Sequence, residues 1–526
     1  MRKIKGKRRK KIALGISAAL AAVLAVGILT ACSGSNQSSS SSSEEKSLTY
    51  GTTSTWSTEN EDHGFDPHKS YWGWTTMRLG VGETLFKFDD NMQIQPWIAE
   101  SYKQVSKTRV DITIKDNVTF SNGKKVDAKA VKACYEDLLK KHDRAPSDLS
   151  IKSMKANGQV LTIVTKKPNP ALLYYLSDPY GCIIDMDSDH NENTVVGTGP
   201  YTVESTTDDT VQLTANKNYW NGNVNVDKVT VRNITDGDTL TMALQNGEID
   251  AAYGLPYESR DLFGDGYTTS SVATSRVYEV AFNYHKSIMK DKAVRKAICM
   301  SLNSEDFVNT LLSGHGETAV GPFPSNFTFA VDSSAAEPYD LAKAKSVLKK
   351  DGWKDTNGDG YLEKNGKKLE IDWVTYPSRQ ELPKLAEYAQ EQLKKIGIKV
   401  NVNSTANHAD LVKADKFDVY ASAIVSAPQG DPQYYFTTQY LPESSYDAGH
   451  YENSKVTNMI NQLSTTFDTN ERAKLAKKIQ EQVLADDGYY YASFLQMAIV
   501  SNSKVTGLDA HPCDYYELNA DMDISK

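Results

Sequence analysis

Four residues early in the chain have the chemistry to grip a small organic anion: Tyr71, Trp72, Trp74 and Arg78. Three aromatic faces within four residues can stack on a solute, and a guanidinium can take a carboxylate in its bidentate fork. The competing reading is core packing, since large aromatics dominate interiors as well. Catalytic motifs are absent: the sequence contains no G-x-S-x-G, no H-E-x-x-H, no Walker A loop and no strand-borne G-x-G-x-x-G. The 67 Asp and Glu are too abundant for a glycosidase-like pair to be picked out, so most belong to a solvated acidic surface.

Metal chemistry has one local candidate. Asp355, Asn357 and Asp359 followed by Gly360 imitate the opening of a calcium loop, but the place of the closing Glu is held by Gly366. The alternative is a hairpin turn, which Asp, Asn and Gly each favour. The nine histidines do not cluster along the chain; His63, His68, His315 and His450 fall in turn-like stretches, where imidazoles are expected to be solvated. Cys134, Cys182, Cys299 and Cys513 are scattered without zinc-type spacing, and four cysteines allow three pairings. Cys134 falls in step with Val131 and Leu138, as a buried apolar thiol would.

These residues sit on alternating short strands and helices. Residues 48–52 and 110–114 alternate as strands, and 117–123 supplies turn residues. Residues 127–140 read as a helix with Asp127 at its start. Leu385, Ala389, Leu393 and Ile396 mark a helix stopped by Gly397, after which 398–402 alternates as a strand. A further helix over 471–484 precedes the aromatic run 489–494. The alternation indicates α/β lobes, and the 29 tyrosines suit a surface that binds small molecules.

The composition is globular: 526 residues, 39% apolar, 24% charged, mean hydropathy −0.51. That length fits several domains or one large interleaved fold. Net charge is −8, and residues 1–11 hold eight Lys or Arg and no acid, which leaves −16 on the rest. A body that acidic repels phosphate backbones, which excludes nucleic acid as a partner. The basic block, the uncharged apolar stretch 12–31 and the exit Leu29-Thr30-Ala31-Cys32 describe a secretory signal. The exit resembles a bacterial lipobox, which implies that 1–31 is a lipoprotein signal peptide and that Cys32 carries the lipid. Residues 32–47, dominated by Ser, then form a flexible tether. An uncleaved membrane anchor is the alternative. Both place the body outside the cell, held at the membrane.

Seven segments recur in a known order: Glu83-Thr-Leu-Phe86 with Ile94-Gln-Pro-Trp-Ile-Ala-Glu-Ser101; Val118-Thr-Phe-Ser-Asn-Gly123 with Val126-Asp-Ala-Lys-Ala-Val131; Gly197-Thr-Gly-Pro-Tyr201; Asn218-Tyr-Trp220; Asn246-Gly-Glu-Ile-Asp250; Ala293-Val-Arg-Lys-Ala-Ile298; and Asp431-Pro432. Together they resemble the extracytoplasmic solute-binding proteins of ABC importers, in the oligopeptide and nickel class called family 5. The resemblance implies an α/β, two-lobe fold of the periplasmic-binding-protein type II kind, with a hinge and an extra subdomain in the first lobe. Lobe one would hold 48–277 plus 487–526 and lobe two 278–486. It further implies a monomer without enzymatic activity or a required cofactor, delivering its solute to a permease driven by ATPase subunits.

For the solute, the resemblance points two ways. Peptide-binding members place an Asp where this chain has Pro428, whereas the Ala427-Pro428…Asp431-Pro432 frame is more like the nickel-chelate branch. Arg144 matches one of that branch's two carboxylate-gripping arginines, but the position near Tyr180-Gly181 has none. Asp431, Tyr434 and Tyr435 would face the cleft from the opposite lobe, and His450 matches the stretch that carries a metal-contacting His. The resulting expectation is a receptor for a nickel chelate or short peptide. A sensory or pheromone receptor on the same fold and a secreted hydrolase are the alternatives.

Overall fold

The computed structural model describes residues 45–53, 64–442, 444 and 447–525. The leader, the tether up to residue 44, the lipidation candidate Cys32 and His63 lie outside the described residues. Among those described, no helix is long and apolar enough to cross a membrane.

An eleven-stranded sheet runs through the body. At one end, Glu370–Thr375 pairs in parallel with Lys399–Ser404 and Val419–Val425. At the other, Ser47–Thr52 pairs in parallel with Lys228–Asn233 and Ala251–Tyr253. Two long antiparallel strands, Tyr267–Phe282 and Tyr489–Asn502, join the halves. The aromatic run expected over 489–494 is therefore only the first part of a strand that passes from one lobe to the other. The ladder between the two long strands breaks between Ala273 and Val277. Such a bulge bends a strand and is a natural place for a hinge. A separate four-stranded sheet, Ala99–Ser106, Arg109–Ile114, Val160–Thr165 and Ile151–Asn157, carries helix Ala128–Lys141 and forms the extra subdomain.

Local sequence explains the elements. Val110, Ile112 and Ile114 alternate inward on their strand. The Asp127 carboxylate accepts the Ala130 N–H at 2.8 Å and caps its helix, whose face Val131, Cys134, Tyr135 and Leu138 is buried. Helix Glu381–Lys395 ends before Gly397, whose φ of 85° suits glycine.

The recurring segments meet as scaffold. Gly197 and Gly199 let their turn lie against the backbone of 80–82, where a Cβ would come within 2.1 Å of the Val81 carbonyl oxygen and 2.2 Å of that of Gly80. Three of the segments then converge on one buried carboxylate: Glu83 accepts from Thr198 Oγ1 (2.9 Å), Tyr219 OH (2.9 Å) and Trp220 Nε1 (2.7 Å). Burial raises the Glu83 pKa to about 7 against the pull of those donors. Asp250 takes the Thr49 N–H and the Asn502 amide, pinning three strands. Arg295 caps the end of helix Thr469–Ala485 through the Asp486 and Asp487 carbonyls.

All four described cysteines are free and buried. His68 differs from the solvated loop residue expected: it is fully buried, with Nδ1 2.8 Å from Asp137, because residues 64–68 pack beneath helix Ala128–Lys141. The tyrosines also differ. Tyr435, Tyr440, Tyr489 and Tyr491 stack into a core around Glu279 rather than lining a surface.

Candidate functional site

The parallel strands of both lobes end at the crossing of the long strands, and a cavity of about 540 Å³ opens there. Tyr253, Tyr257 and Arg260 line it after strand Ala251–Tyr253, and Arg379 and Glu381 line it after strand Glu370–Thr375. Loops after parallel strand ends are where open α/β folds place ligands, because the chain there is free to vary without cost to the sheet.

Arg260 is buried against the Tyr257 ring, with 4.6 Å from guanidinium carbon to ring centre. Its Nη2 donates to the Gln496 carbonyl at 3.3 Å, yet Nε and Nη1, also buried, have no acceptor among the described residues. Burial pulls its pKa below the ordinary arginine value, with Tyr257, Tyr253 and Glu381 only partly compensating. Arg276, in the strand bulge, is lowered by burial and by Arg379; its closest carboxylate oxygen is Asp514 Oδ2 at 3.8 Å. Glu381, buried on the same cavity, also has an Oε2 without a partner among the described residues. The guanidinium groups of Arg260, Arg276 and Arg379 still outnumber that one carboxylate, and this end of the cleft suits an anionic solute.

The second end is aromatic. Trp74 packs on Tyr515 (5.2 Å between centroids) and edge-on to Tyr71 (6.0 Å). Arg144 lies over Tyr71 and Tyr180 and bonds Asp178 at 3.2 Å. Asp178 also accepts Gln429 Nε2 at 2.9 Å, so the loop 426–432 is tied across to the segment carrying Tyr180. Among the described residues, Trp74 Nε1, Tyr515 OH and Gln429 Oε1 are buried here without partners. Between the ends, Pro428, Arg276, Asp514 and Tyr515 line a narrow gap.

The structure brings Tyr71, Trp74 and Arg144 together, with Tyr434 within electrostatic reach of Arg144. The other residues singled out in the sequence lie elsewhere or are committed. Arg78 is beneath Trp74, donating to Asp514 O (2.6 Å) and Asp514 Oδ2 (2.8 Å), with Glu517 at 3.4 Å. Burial opposes its charge, but those two carboxylates raise its pKa above normal. Trp72 packs against Gly64 with Lys69 over its ring. Asp431 is gripped bidentately by Arg472 at 2.6 and 2.7 Å and anchors its loop to helix Thr469–Ala485. The Tyr435 hydroxyl donates to Glu279 inside the core, since a buried carboxyl needs a donor.

His450 sits beside His285 and Asp415 at the far end of strand Val419–Val425 from the loop 426–432. The 355–363 loop gives no support to calcium. Asp355 accepts the Gly358 and Gly360 N–H groups, Asn357 accepts that of Asp359, and Asp359 pairs with Lys368, so the loop closes as a turn on its own bonds.

Arg260, Arg276, Arg379 and Tyr515 escaped sequence reasoning. A weak signal existed: Arg260 and Arg379 each follow within seven residues of a strand end. A larger cavity, about 750 Å³, opens near Cys299 and Tyr490, but its charged lining is acidic, including Glu305, Glu317 and Glu337.

Residues 93–447 match the profile of the bacterial extracellular solute-binding proteins, family 5 Middle. The nickel-binding protein NikA of Staphylococcus aureus is 29% identical over 445 residues, covering 84% of this chain and 88% of that protein. The oligopeptide-binding protein AppA of Bacillus subtilis is 26% identical over 96% of this chain and 97% of its own. Among solved structures, S. aureus NikA in complex with Ni(L-His)2 superposes with a TM-score of 0.75 at 27% identity, over 91% of this chain and all of that one. A nickel ABC transporter protein of Bacillus halodurans gives 0.79 at 28%, with the same coverage.

Proposed function

The chain belongs to family 5 of the bacterial extracellular solute-binding proteins, and from that premise we propose that its solute is a small metal chelate bearing carboxylates, with nickel as the metal. The observation that carries this reading is Arg260, a buried guanidinium with two nitrogens lacking acceptors among the described residues, on a cavity flanked by Arg276 and Arg379. A carboxylate there would neutralise a charge the protein leaves uncompensated. Trp74 and Tyr515 would pack on the organic part, their free N–H and O–H turned to it. The S. aureus relative, solved with Ni(L-His)2, is a precedent for the class. A short peptide is the second reading, favoured by the full-length likeness to AppA. Against it, Pro428 stands where an acid would meet the peptide amine.

In this reading the lobes, 48–277 plus 487–526 and 278–486, close about the bulge at 273–277, and a solute touching both favours the closed form. Cys32 carries a lipid that holds the receptor at the outer face of the membrane, where it hands the solute to the permease. The basic and apolar leader ending in Leu29-Thr30-Ala31-Cys32 supports that anchoring. The test is native mass spectrometry with elemental analysis on protein purified without chelators. A bound mass containing nickel is expected; a metal-free ladder of peptide masses would replace the chelate reading with peptide uptake.

A further inference from the structure

A second group of ligand-type side chains lies away from the cleft. The His285 and His450 rings stack, with centroids 3.9 Å apart and planes within 10°. Both address one carboxylate: His285 Nδ1 is 2.7 Å from Asp415 Oδ2, and His450 Nε2 is 3.4 Å from Asp415 Oδ1. The fold brings these three together from distant parts of the chain. His285 follows the end of strand Tyr267–Phe282, and Asp415 precedes strand Val419–Val425, which pairs with it through Phe282 and Val419. Gly449 packs against the Phe282 carbonyl and positions His450 beside them. Asp415 and His450 both hold left-handed backbone, with φ of 56° and 55°. Asn283, fully buried, donates to Asp415 Oδ1 at 3.0 Å and fixes the carboxylate.

We propose that His285, Asp415 and His450 form a surface site for one late first-row divalent cation, distinct from the solute cleft. Two imidazoles and a carboxylate suit Zn²⁺, Ni²⁺ or Cu²⁺. Their ligand atoms already lie within 4.8 Å of one another, so small side-chain rotations bring them onto a common ion. All three side chains are at least one-third exposed, which gives the ion direct entry and leaves coordination positions open to water. The seven-residue strand Val419–Val425 puts roughly 20 Å between this site and the loop 426–432. Metal here therefore binds independently of the solute.

The test is calorimetric titration of the full-length, metal-stripped chain in detergent with NiCl2 and, separately, ZnCl2, without added chelator. One equivalent is expected to bind, with His285→Ala and His450→Ala each weakening it about tenfold or more. Arg260→Gln in the cleft should leave that affinity unchanged. With Cu²⁺ as a spectroscopic probe, electron paramagnetic resonance should show two imidazole nitrogens, falling to one in either histidine variant. If Asp415→Ala does not fold, the two exposed-histidine variants still decide. Binding undiminished in the His285→Ala/His450→Ala double variant, or no binding at millimolar metal, overturns the proposal.

Discussion

The two ends of the cleft hold similar residues in opposite states. At the aromatic end, Arg144 is bonded to Asp178, which is bonded to Gln429, and below it Arg78 is clamped by Asp514 and Glu517. At the other end, Arg260 is as buried as Arg78 but among the described residues lacks a carboxylate within salt-bridge distance, and Arg276 has only the distant Asp514. A paired buried guanidinium is architecture, because its charge is already neutralised and removing it strands a partner. An unpaired one is poised for something that arrives, because its desolvation has been endured without compensation.

The sharpest way to break this contrast is Arg78→Ala. It leaves buried Glu517 with only the Tyr50 hydroxyl and Asp514 with only Arg276 at 3.8 Å, which should destabilise the fold by about 3–5 kcal/mol, seen in denaturant unfolding, while the folded fraction keeps its solute affinity. A stable variant that had lost its solute would invert the assignment. Arg260→Gln should do the reverse. Thermal stability stays at or above wild type, and solute affinity by calorimetry falls by about 2 kcal/mol for lack of a charged hydrogen bond.

A further prediction concerns Glu279, another committed group, held by Tyr435 and raised by burial to about 8. Its folded pKa lies above the ordinary 4.5, so the native state keeps a proton that the unfolded chain releases. The associated stability is complete below about pH 4.5 and is lost as pH rises towards 8. Glu279→Gln should flatten that part of the melting-temperature profile, leaving a shallower decline from Glu83, Asp447 and Glu517, each raised to about 7. An unchanged profile would remove Glu279 as its source.

Much of the scaffold was legible in the sequence. Asp127 announced its helix and Gly397 ended one, because caps and stops act within a few residues. The seven ordered segments identified the family, and the structure shows what they do: they surround Glu83, pin strands at Asp250, cap a helix with Arg295 and anchor a loop through Asp431. They carry the fold, which relatives of differing solutes share, and so they left the solute open. Tyr435 and Arg78 look like binding groups in the sequence for the same reason, since a side chain's type does not disclose whether a partner has already claimed it.

What the sequence determined by itself was local or cumulative: strand and helix periods, caps, the acidic body, and a family order spread over the whole chain. The pairing of charges was decided only in three dimensions. Asp514 reaches Arg78, Asp178 reaches Gln429 and His285 meets His450 across well over a hundred residues each, and among the described residues folding gives Nε and Nη1 of Arg260 no acceptor. Whether a buried charge is spent or available depends on its neighbours in space, and folding alone chooses those neighbours.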